Sequence, residues 1–308
     1  MTASRERGWD AGRPVDLGAT LGPLRRGTGD PAHRFDATGV FWWACATPDG
    51  AGTLAVRAAG NLVSARSWGA GAEWLLERVP ALLGAGDDWS SLDLSTQPRL
   101  RDVLHRRPGL RLSATGRVMD ALVPAVLEQR VTGPEARRAW RLLLRRFGEP
   151  APGPALELRV PPPAQVLLDI PSWDWHRLGV DSHRQRAIRA AATVAPRLEE
   201  CGGFDPATAG ATVLARLRVL PGIGGWTAAE TAQRAFGHPD AVSVGDYHLK
   251  DLVVHFLTGA PRGDDAQMVR LLEPWAGQRQ RVVRLIELSG VGKPRFGPRL
   301  APVDIRAI

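Results

Sequence analysis

Three glycines within four residues interrupt an apolar helical stretch, and this cluster limits most strongly what the chain can form. The segment is LPGIGGWTAAE, Leu220 to Glu230. Glycine and proline weaken a helix interior, so the cluster marks a sharp turn or a close approach of the backbone. Helical patterns flank it over residues 206–219 and 226–236. The sequence therefore predicts two helices joined by a tight turn.

The turn has the features of an anion-binding site. Gly222 and Gly224 carry no side chains, so backbone N–H groups there can reach an anion directly, and Ile223 between them is an apolar plug. The N-terminus of the second helix adds a positive dipole. The arrangement resembles the helix–hairpin–helix motif of DNA repair proteins. A plain helical hairpin with a glycine turn is the alternative.

The composition agrees with a polyanionic partner. The 308 residues carry a formal net charge of +8, and arginine supplies nearly all of the positive charge because Lys250 and Lys293 are the only lysines. Such an excess attracts nucleic acid, although a basic surface without a partner has the same composition. Two cysteines, Cys45 and Cys201, cannot build a four-cysteine zinc site, an iron–sulfur cluster or a disulfide framework. We expect both to be buried and reduced.

The sequence lacks the signals of a membrane protein or a nucleotide hydrolase. No apolar run approaches the length of a membrane span, and the N-terminus MTASRERGWDAGRP has no signal-peptide core. We therefore expect a protein of the bacterial cytoplasm or nucleoid. The GVGK run, Gly290–Lys293, precedes a proline and lacks the rest of a P-loop, so it predicts a helix stop.

The pattern of turns and apolar residues predicts a small β domain near the N-terminus. Residues 1–33 are rich in Gly, Arg and Asp, and we expect them to be disordered. Residues 34–105 form the predicted domain of antiparallel strands plus a helix. Its strands correspond to apolar runs bounded by turn residues, and its helix to apolar residues at helical spacing. These runs are 40–47, 52–59 and 61–68 for the strands and 72–83 for the helix.

Helical patterns dominate residues 106–290, and residues 291–308 form a C-terminal tail. One helix is predicted over 117–131, with Pro124 as a kink or late start. Thr132 opens the next with capping-box spacing to Glu135. The Pro-rich segment 149–163 predicts a surface linker. Further helices are expected at 164–168, 172–178, 182–200, 206–219 and 226–236, with another starting near Tyr247.

Asp246 stands immediately before that last helix, in the sequence AVSVGDYHLKDL. An aspartate there can act as an N-cap, which stabilises a helix by about 1 kcal/mol. The helix dipole also favours its ionised form, so the carboxylate would stay charged and rigidly held. A structural cap and a functional carboxylate are both compatible with this position.

Taken together, the LPGIGxWTA hairpin and the following apolar–Val–x–Asp element resemble the helix–hairpin–helix (HhH-GPD) DNA glycosylase superfamily. Within it, the chain looks most like the 3-methyladenine DNA glycosylase II (AlkA-type) branch. RPGLRL, VLEQRVT, LGVDSHRQRAI and EPWAGQRQRVVRLIELSG are similar to further elements of that branch, over about Pro108 to Gly290. The resemblance implies a mainly α fold with a small N-terminal α+β domain.

The resemblance also implies roles for individual residues. Asp246 matches the catalytic aspartate, and Trp226 and Tyr247 would flank the base pocket. The phosphate-binding positions would be Gly222, Ile223, Gly224, Gly225 and Thr227. Gln129 and Arg130 correspond to the wedge that fills the gap left by an everted nucleotide, although a solvated helix end is an equal alternative. For Trp226 the alternative is a hairpin core residue.

The implied activity is monofunctional excision of an alkylated purine from duplex DNA, which leaves an abasic site. A carboxylate stabilises the positive charge that builds on the sugar. Trp226 stands where glycosylases that also cut the backbone carry a lysine, so no Schiff base is expected. The resemblance implies a monomer without a cofactor, except for a monovalent cation at the hairpin, which is left open. Oxidised or deaminated bases, or a non-catalytic DNA-binding module, are the alternatives.

Two departures from the AlkA-type pattern concern the base pocket. Glu230 replaces an aromatic residue one turn after Trp226, and Arg284 and Glu287 stand where another aromatic residue is expected. The pocket is therefore expected to be less aromatic. The closing helix also carries arginines that could contact phosphates or form an ordinary basic outer face. These are Arg279, Arg281 and Arg284.

Overall fold

A computed structural model describes residues 4–155, 157–203 and 206–292. The N-terminal part is a five-stranded antiparallel sheet with the order β1-β5-β4-β3-β2. Its strands are β1 (Ser4–Asp10), β2 (His33–Phe35), β3 (Phe41–Thr47), β4 (Gly50–Ala59) and β5 (Leu62–Gly69). Helix α2 (Ala72–Leu82) follows. The predicted meander and its helix are confirmed.

The disorder expected for residues 1–33 is wrong where the structure describes them. Strand β1 pairs with β5 from Ser4↔Trp68 to Asp10↔Leu62. Helix α1 (Leu17–Leu21) and a 3₁₀ turn (Gly22–Leu24) follow, and their leucines join the sheet core. This edge strand is held mainly by main-chain pairing, because its side chains are polar and exposed except for Trp9, which packs against the core, so its composition did not indicate a strand. The N-terminal domain therefore begins well before residue 34.

The two faces of the sheet are both covered. The inner face packs Phe41, Trp43, Leu54 and Val56 against α2 and α1. On the outer face, Ala44 contacts Ala151, Ala155, Leu158 and Val160. This second layer comes from the segment predicted as a surface linker, which includes the short paired strands β6 (Glu149–Pro150) and β7 (Arg159–Val160). That prediction is wrong because apolar residues between the prolines dock on the sheet.

The helical part follows the predicted pattern. Helix α3 spans Pro98–Arg106, and the next two are α4 (Val118–Leu127) and α5 (Gly133–Phe147). The capping box of Thr132 and Glu135 is present. The remaining helices are α6 (Ala164–Asp169), α7 (Ser172–Arg177), α8 (Ser182–Thr193), α9 (Ala195–Glu199), α10 (Pro206–Arg218), α11 (Gly225–Phe236), α12 (Leu249–Thr258), α13 (Asp265–Leu272) and α14 (Arg279–Leu288).

Two apolar cores lie within the helical part. One joins α4, α5, α8 and α11 around Leu122, Trp140 and Ile188. The other joins α12, α13 and α14 to α3 and Trp89. Because α3 packs with the C-terminal helices, the boundary predicted at residue 105 is too late. The chain leaves the β domain near the end of α2.

The described residues can be compared with three expectations from the sequence, which concern the cysteines, membrane spans and metal sites. Cys45 and Cys201 are free and buried, as predicted. None of the described helices is long and apolar enough to cross a membrane. Across the described ranges, no group of three or more His, Cys, Asp or Glu side chains is placed to hold a metal ion. Lys293 and the rest of the predicted tail lie outside the described residues.

Candidate functional site

The glycine cluster forms the turn between α10 and α11. Gly222 has φ +80°, a conformation that favours glycine. Ile223 is buried in the helical core and fixes the turn to it. Gly224 has an extended backbone and stands at the N-cap of α11. The hairpin predicted from the sequence is therefore present, and its turn ends at a helix N-terminus.

The glycines of the turn have different structural reasons to be glycine. A Cβ on Gly222 would lie 2.8 Å from the Cβ of Ala187 on α8, so this position has no room for a side chain. A Cβ on Gly224 or Gly225 would meet nothing within 4 Å. The first N–H groups of α11 lack acceptors within the helix, as at every helix start. The open space around Gly224 and Gly225, at the start of this helix, suits a phosphate.

Gln129 and Arg130 lie at the end of α4, next to this hairpin. The Gln129 Nε2 amide donates to the Gly222 carbonyl (3.0 Å) and to Thr227 Oγ1 (2.8 Å). Arg130 is exposed and has φ +53°, the one non-glycine residue with positive φ in the described part of the chain. Positive φ in a non-glycine residue is uncommon and concentrates at functional sites. The two bonds fix Gln129 against the turn, and the exposed Arg130 follows it directly in the chain.

Carbonyl oxygens of the hairpin are the candidate ligands for the monovalent cation that the sequence neither predicted nor excluded. The Gly222 carbonyl accepts from Gln129, and the Leu220 carbonyl accepts from the Ile223 N–H (3.1 Å). Carbonyl oxygens have a second lone pair, so these bonds leave room for cation ligation. We assign no step of the chemistry to a cation.

Asp246 is held by three donors from two elements. Its Oδ1 accepts from the backbone N–H groups of His248 (2.7 Å) and Leu249 (2.8 Å) at the start of α12. Its Oδ2 accepts from the Trp226 indole N–H (3.2 Å) on α11. Helix α12 begins at Leu249, slightly later than predicted, so Asp246 caps it through a short turn. The carboxylate is thereby fixed and tied to the first turn of the hairpin helix.

An open cleft of about 420 Å³ lies beside Asp246. Its lining is largely polar and includes three carboxylates but no Phe, Trp, Tyr, Lys or Arg among the described residues. The lining residues are Glu230, Gln233, Ser243, Asp246, His248, Leu249, Leu252, Gln280, Val283 and Glu287.

The two aromatic residues predicted for the pocket have different surroundings. Trp226 is half-buried and contacts Asp246 through its indole nitrogen. Tyr247 is 78% exposed, and its ring meets the His248 ring edge-on, with centroids 4.9 Å apart. Neither ring lines the cleft. The expectation of a less aromatic pocket agrees with this lining.

The arginines of α14 are engaged inside the protein. Arg281 is buried and donates to Asp87 Oδ1 (2.6 and 2.9 Å). Arg279 forms an ion pair with Asp240, which raises the pKa of Arg279 above its ordinary value. Arg284 pairs with Glu287. Each of the three arginines therefore has a carboxylate partner within the protein, in two cases on a residue remote in sequence.

Sequence comparison gives a partial match to a DNA repair protein. No protein-family profile matches the chain. A probable bifunctional transcriptional activator/DNA repair enzyme AlkA from Mycobacterium tuberculosis is 32% identical over 158 residues. The match covers 51% of this chain and 31% of that protein, so the chain spans about a third of the curated relative's length.

Comparison with solved structures covers nearly the whole chain. The 3-methyladenine DNA glycosylase from Archaeoglobus fulgidus matches with a TM-score of 0.74 at 15% identity, over 92% of this chain and 98% of that one. The chain has the helix–hairpin–helix DNA glycosylase fold. The apo form of an 8-oxoguanine glycosylase/lyase from Clostridium acetobutylicum has the same fold, with a TM-score of 0.71, 11% identity, and 94% and 99% coverage. Both alkylation-type and oxidation-type glycosylases therefore share this architecture.

Sequence reasoning missed how the cleft of this glycosylase fold is built. Glu230 and Glu287 were noted only as departures, yet they face one cleft with Asp246 from two separate helices. Gln233, Ser243 and Gln280 were not singled out at all. The hydroxyl of Ser243 donates to Glu230 Oε1 (2.5 Å) and accepts from Gln233 Nε2 (2.9 Å). Glu230 and Gln233 are three residues apart in a predicted helix, and this spacing could have indicated that both side chains lie on the same face.

Proposed function

We propose that this chain is a monofunctional DNA glycosylase that everts a damaged purine, preferably an alkylated one, from duplex DNA and excises it. The observation that carries this proposal is the bond from Trp226 to Asp246. It joins a rigid carboxylate beside an open cleft to the hairpin whose N–H groups suit a phosphate. A non-catalytic DNA-binding module has no need of a carboxylate there, because the charge repels phosphate.

The chemistry assigned to Asp246 is electrostatic and basic. The bond between the sugar C1′ and the base nitrogen breaks, and its electron pair leaves with the base. The sugar becomes positively charged, and the fixed carboxylate stabilises that charge. Asp246 then orients a water molecule, accepts its proton and passes it to solvent while the oxygen adds to C1′. A cationic, alkylated purine leaves as a neutral base and needs no protonation.

The proposed product is an intact strand with an abasic site. A Schiff-base mechanism needs a lysine amine at the sugar, and Trp226 occupies the position that would supply it. Lys250 lies on α12 and is only half exposed. Strand cleavage therefore requires alkali or a separate lyase.

The polar lining supports a second candidate within the same class. Oxidised and deaminated purines are neutral and are read through hydrogen bonds. Glu230, Gln233 and Gln280 in the cleft could accept or donate such bonds. The aromatic stacking that suits electron-poor alkylated bases is limited to Trp226, at the edge of the site.

A base-release assay tests the function and distinguishes the candidates. Duplexes of one sequence carry a single 7-methylguanine, 3-methyladenine, hypoxanthine or 8-oxoguanine, and samples are analysed with and without alkali. We expect release of the alkylated purines, and strand breaks only after alkali. Release of 8-oxoguanine alone would favour the second candidate. Tight duplex binding without release of any base would favour the non-catalytic module.

A further inference from the structure

Two ion pairs have the same orientation around the cleft. Glu230 Oε2 pairs with Arg234 (2.8 Å) on α11, and Glu287 pairs with Arg284 on α14. Both glutamates line the cleft, and neither arginine does. The carboxylate end of each pair therefore faces the space beside Asp246, and the guanidinium end points away from it.

Both arginines are held from behind by one segment near the N-terminus. Arg234 Nε donates to the Pro23 carbonyl (3.0 Å), and Arg284 donates to the Ala19 carbonyl (3.0 Å). Ala19 belongs to α1 and Pro23 to the 3₁₀ turn that follows. The side chains of Arg234 and Arg284 are only 16% and 14% exposed. The N-terminal segment thus fixes the direction of both ion pairs.

A buried amide in the same cleft points independently to a ligand. Gln280 is 4% exposed and lines the cleft, and its Oε1 has no hydrogen-bond partner. Buried polar atoms are nearly always paired in folded proteins, so an unpaired acceptor at a cleft is explained by a donor that arrives with a ligand. The acceptor lies on α14, the helix that carries Glu287.

We propose that Glu230 and Glu287 select a positively charged nucleobase, and that Gln280 accepts a hydrogen bond from its N–H edge. A base in the cleft lies closer to the two carboxylates than to the guanidinium groups behind them. The oriented pairs therefore favour positive charge even though each pair is neutral overall. This inference rests on the proposed function and adds that charge, rather than stacking, determines the choice of base. Residues 17–24 act as positioning residues, since they hold the two arginines.

The test compares a cationic and a neutral base in matched duplexes. Single-turnover release of 7-methylguanine, which is cationic, is measured against release of hypoxanthine, which is neutral, at pH 6. The variants are Glu287→Gln and Glu230→Gln. We expect each to slow 7-methylguanine release about tenfold, by analogy with the loss of one charge interaction in a partly buried site. Hypoxanthine release should change less than about twofold.

Glu273→Gln is the matched control. Glu273 pairs with Arg279 just before α14, has a 67% exposed side chain and lies outside the cleft. It should leave both rates unchanged. Equal losses on both bases in the cleft variants, or equal release of both bases by the unmodified protein, would overturn the proposal.

A binding measurement separates this inference from the proposed function. Calorimetry at pH 6 compares the nucleoside 7-methylguanosine with inosine. We expect the cation to bind at least about tenfold more tightly, and Glu287→Gln to remove most of that preference. If no duplex releases a base but this preference is found, the proposed function fails and the charge selection stands. Equal binding of the two nucleosides would contradict the charge selection itself.

Discussion

The hairpin allows stability and DNA binding to be separated by two neighbouring substitutions. Gly222→Ala places a Cβ 2.8 Å from Ala187 and puts alanine at φ +80°. The left-handed conformation costs an L-residue roughly 1–2 kcal/mol, and the contact with a helix that cannot easily move adds about 1 kcal/mol. We therefore expect Gly222→Ala to lower the free energy of unfolding by about 2–3 kcal/mol.

Gly224→Ala should have the opposite profile. Its φ of −87° is ordinary for alanine, and the new Cβ meets nothing within 4 Å. Alanine is a poorer N-cap than glycine, but it also restricts the unfolded chain, and these effects of about 0.5–1 kcal/mol oppose each other. The free energy of unfolding should stay within about 0.5 kcal/mol. The added methyl group occupies open space at the N-cap, beside the first N–H groups of α11, and should weaken duplex binding at least about tenfold, or ~1.4 kcal/mol.

Urea denaturation and fluorescence anisotropy with a labelled duplex, at one fixed salt concentration, measure both quantities. Gly225→Ala is a second probe of the same surface, because its Cβ also meets open space and alanine favours the helix. Normal duplex binding by both Gly224→Ala and Gly225→Ala would refute the assignment of this turn as the phosphate-binding site. Normal stability of Gly222→Ala would refute the structural argument for that glycine.

Three further predictions concern α4 and the residues that follow it. Burial raises the pKa of the Asp120 carboxyl to about 6, and the attraction of Arg117 opposes this rise. The folded state therefore holds this proton more tightly than the unfolded state does. As a result, the free energy of unfolding falls by ~3 kcal/mol as pH rises from about 4 to 6. Asp120→Asn should therefore exceed the unmodified protein in stability above pH 6 and match it below pH 4 in urea titrations, and a difference independent of pH would contradict this. Arg26→Met removes the bonds of 2.9 and 3.1 Å to Glu128 and should cost about 2 kcal/mol of unfolding free energy, measured in the same way; an unchanged value would argue against the pairing. Arg130→Gly should keep stability within about 1 kcal/mol, since glycine accepts positive φ, but slow base release at least about tenfold if Arg130 is the wedge, and unchanged release would exclude it from that role.

Much of the fold follows from local patterns in the sequence. The strands of the meander and most helices have apolar residues at the spacing of their own secondary structure, and the hairpin has its glycines. Strand β1 has the sequence SRERGWD and no such pattern, because backbone pairing with β5 holds it. Residues 149–163 looked like a linker because proline dominates them, while the sheet surface that they cover is formed by Ala44, far away in sequence.

The site residues could be predicted from the sequence only where they lie together in one short continuous segment. Asp246 and the hairpin could be assigned because each lies within a continuous motif. The arginines of α14 could not, since the partner of Arg281 is Asp87 and no local pattern links the two. For the same reason, the sequence did not reveal that Ala19 and Pro23 hold the arginines behind Glu287 and Glu230.

The most direct test of the central claim is Asp246→Asn, with duplex binding and base release measured on the same sample. Asparagine keeps the size of the side chain and an oxygen for the His248 and Leu249 N–H groups, but its NH2 group cannot accept from the Trp226 indole. The variant should therefore fold and bind a damaged duplex within about fivefold of the unmodified protein, the effect of one lost hydrogen bond. Single-turnover base release should fall by about a hundredfold to a thousandfold, because the charge that stabilises the sugar is gone. Base release at the unmodified rate, with binding intact, would show that this carboxylate is not catalytic.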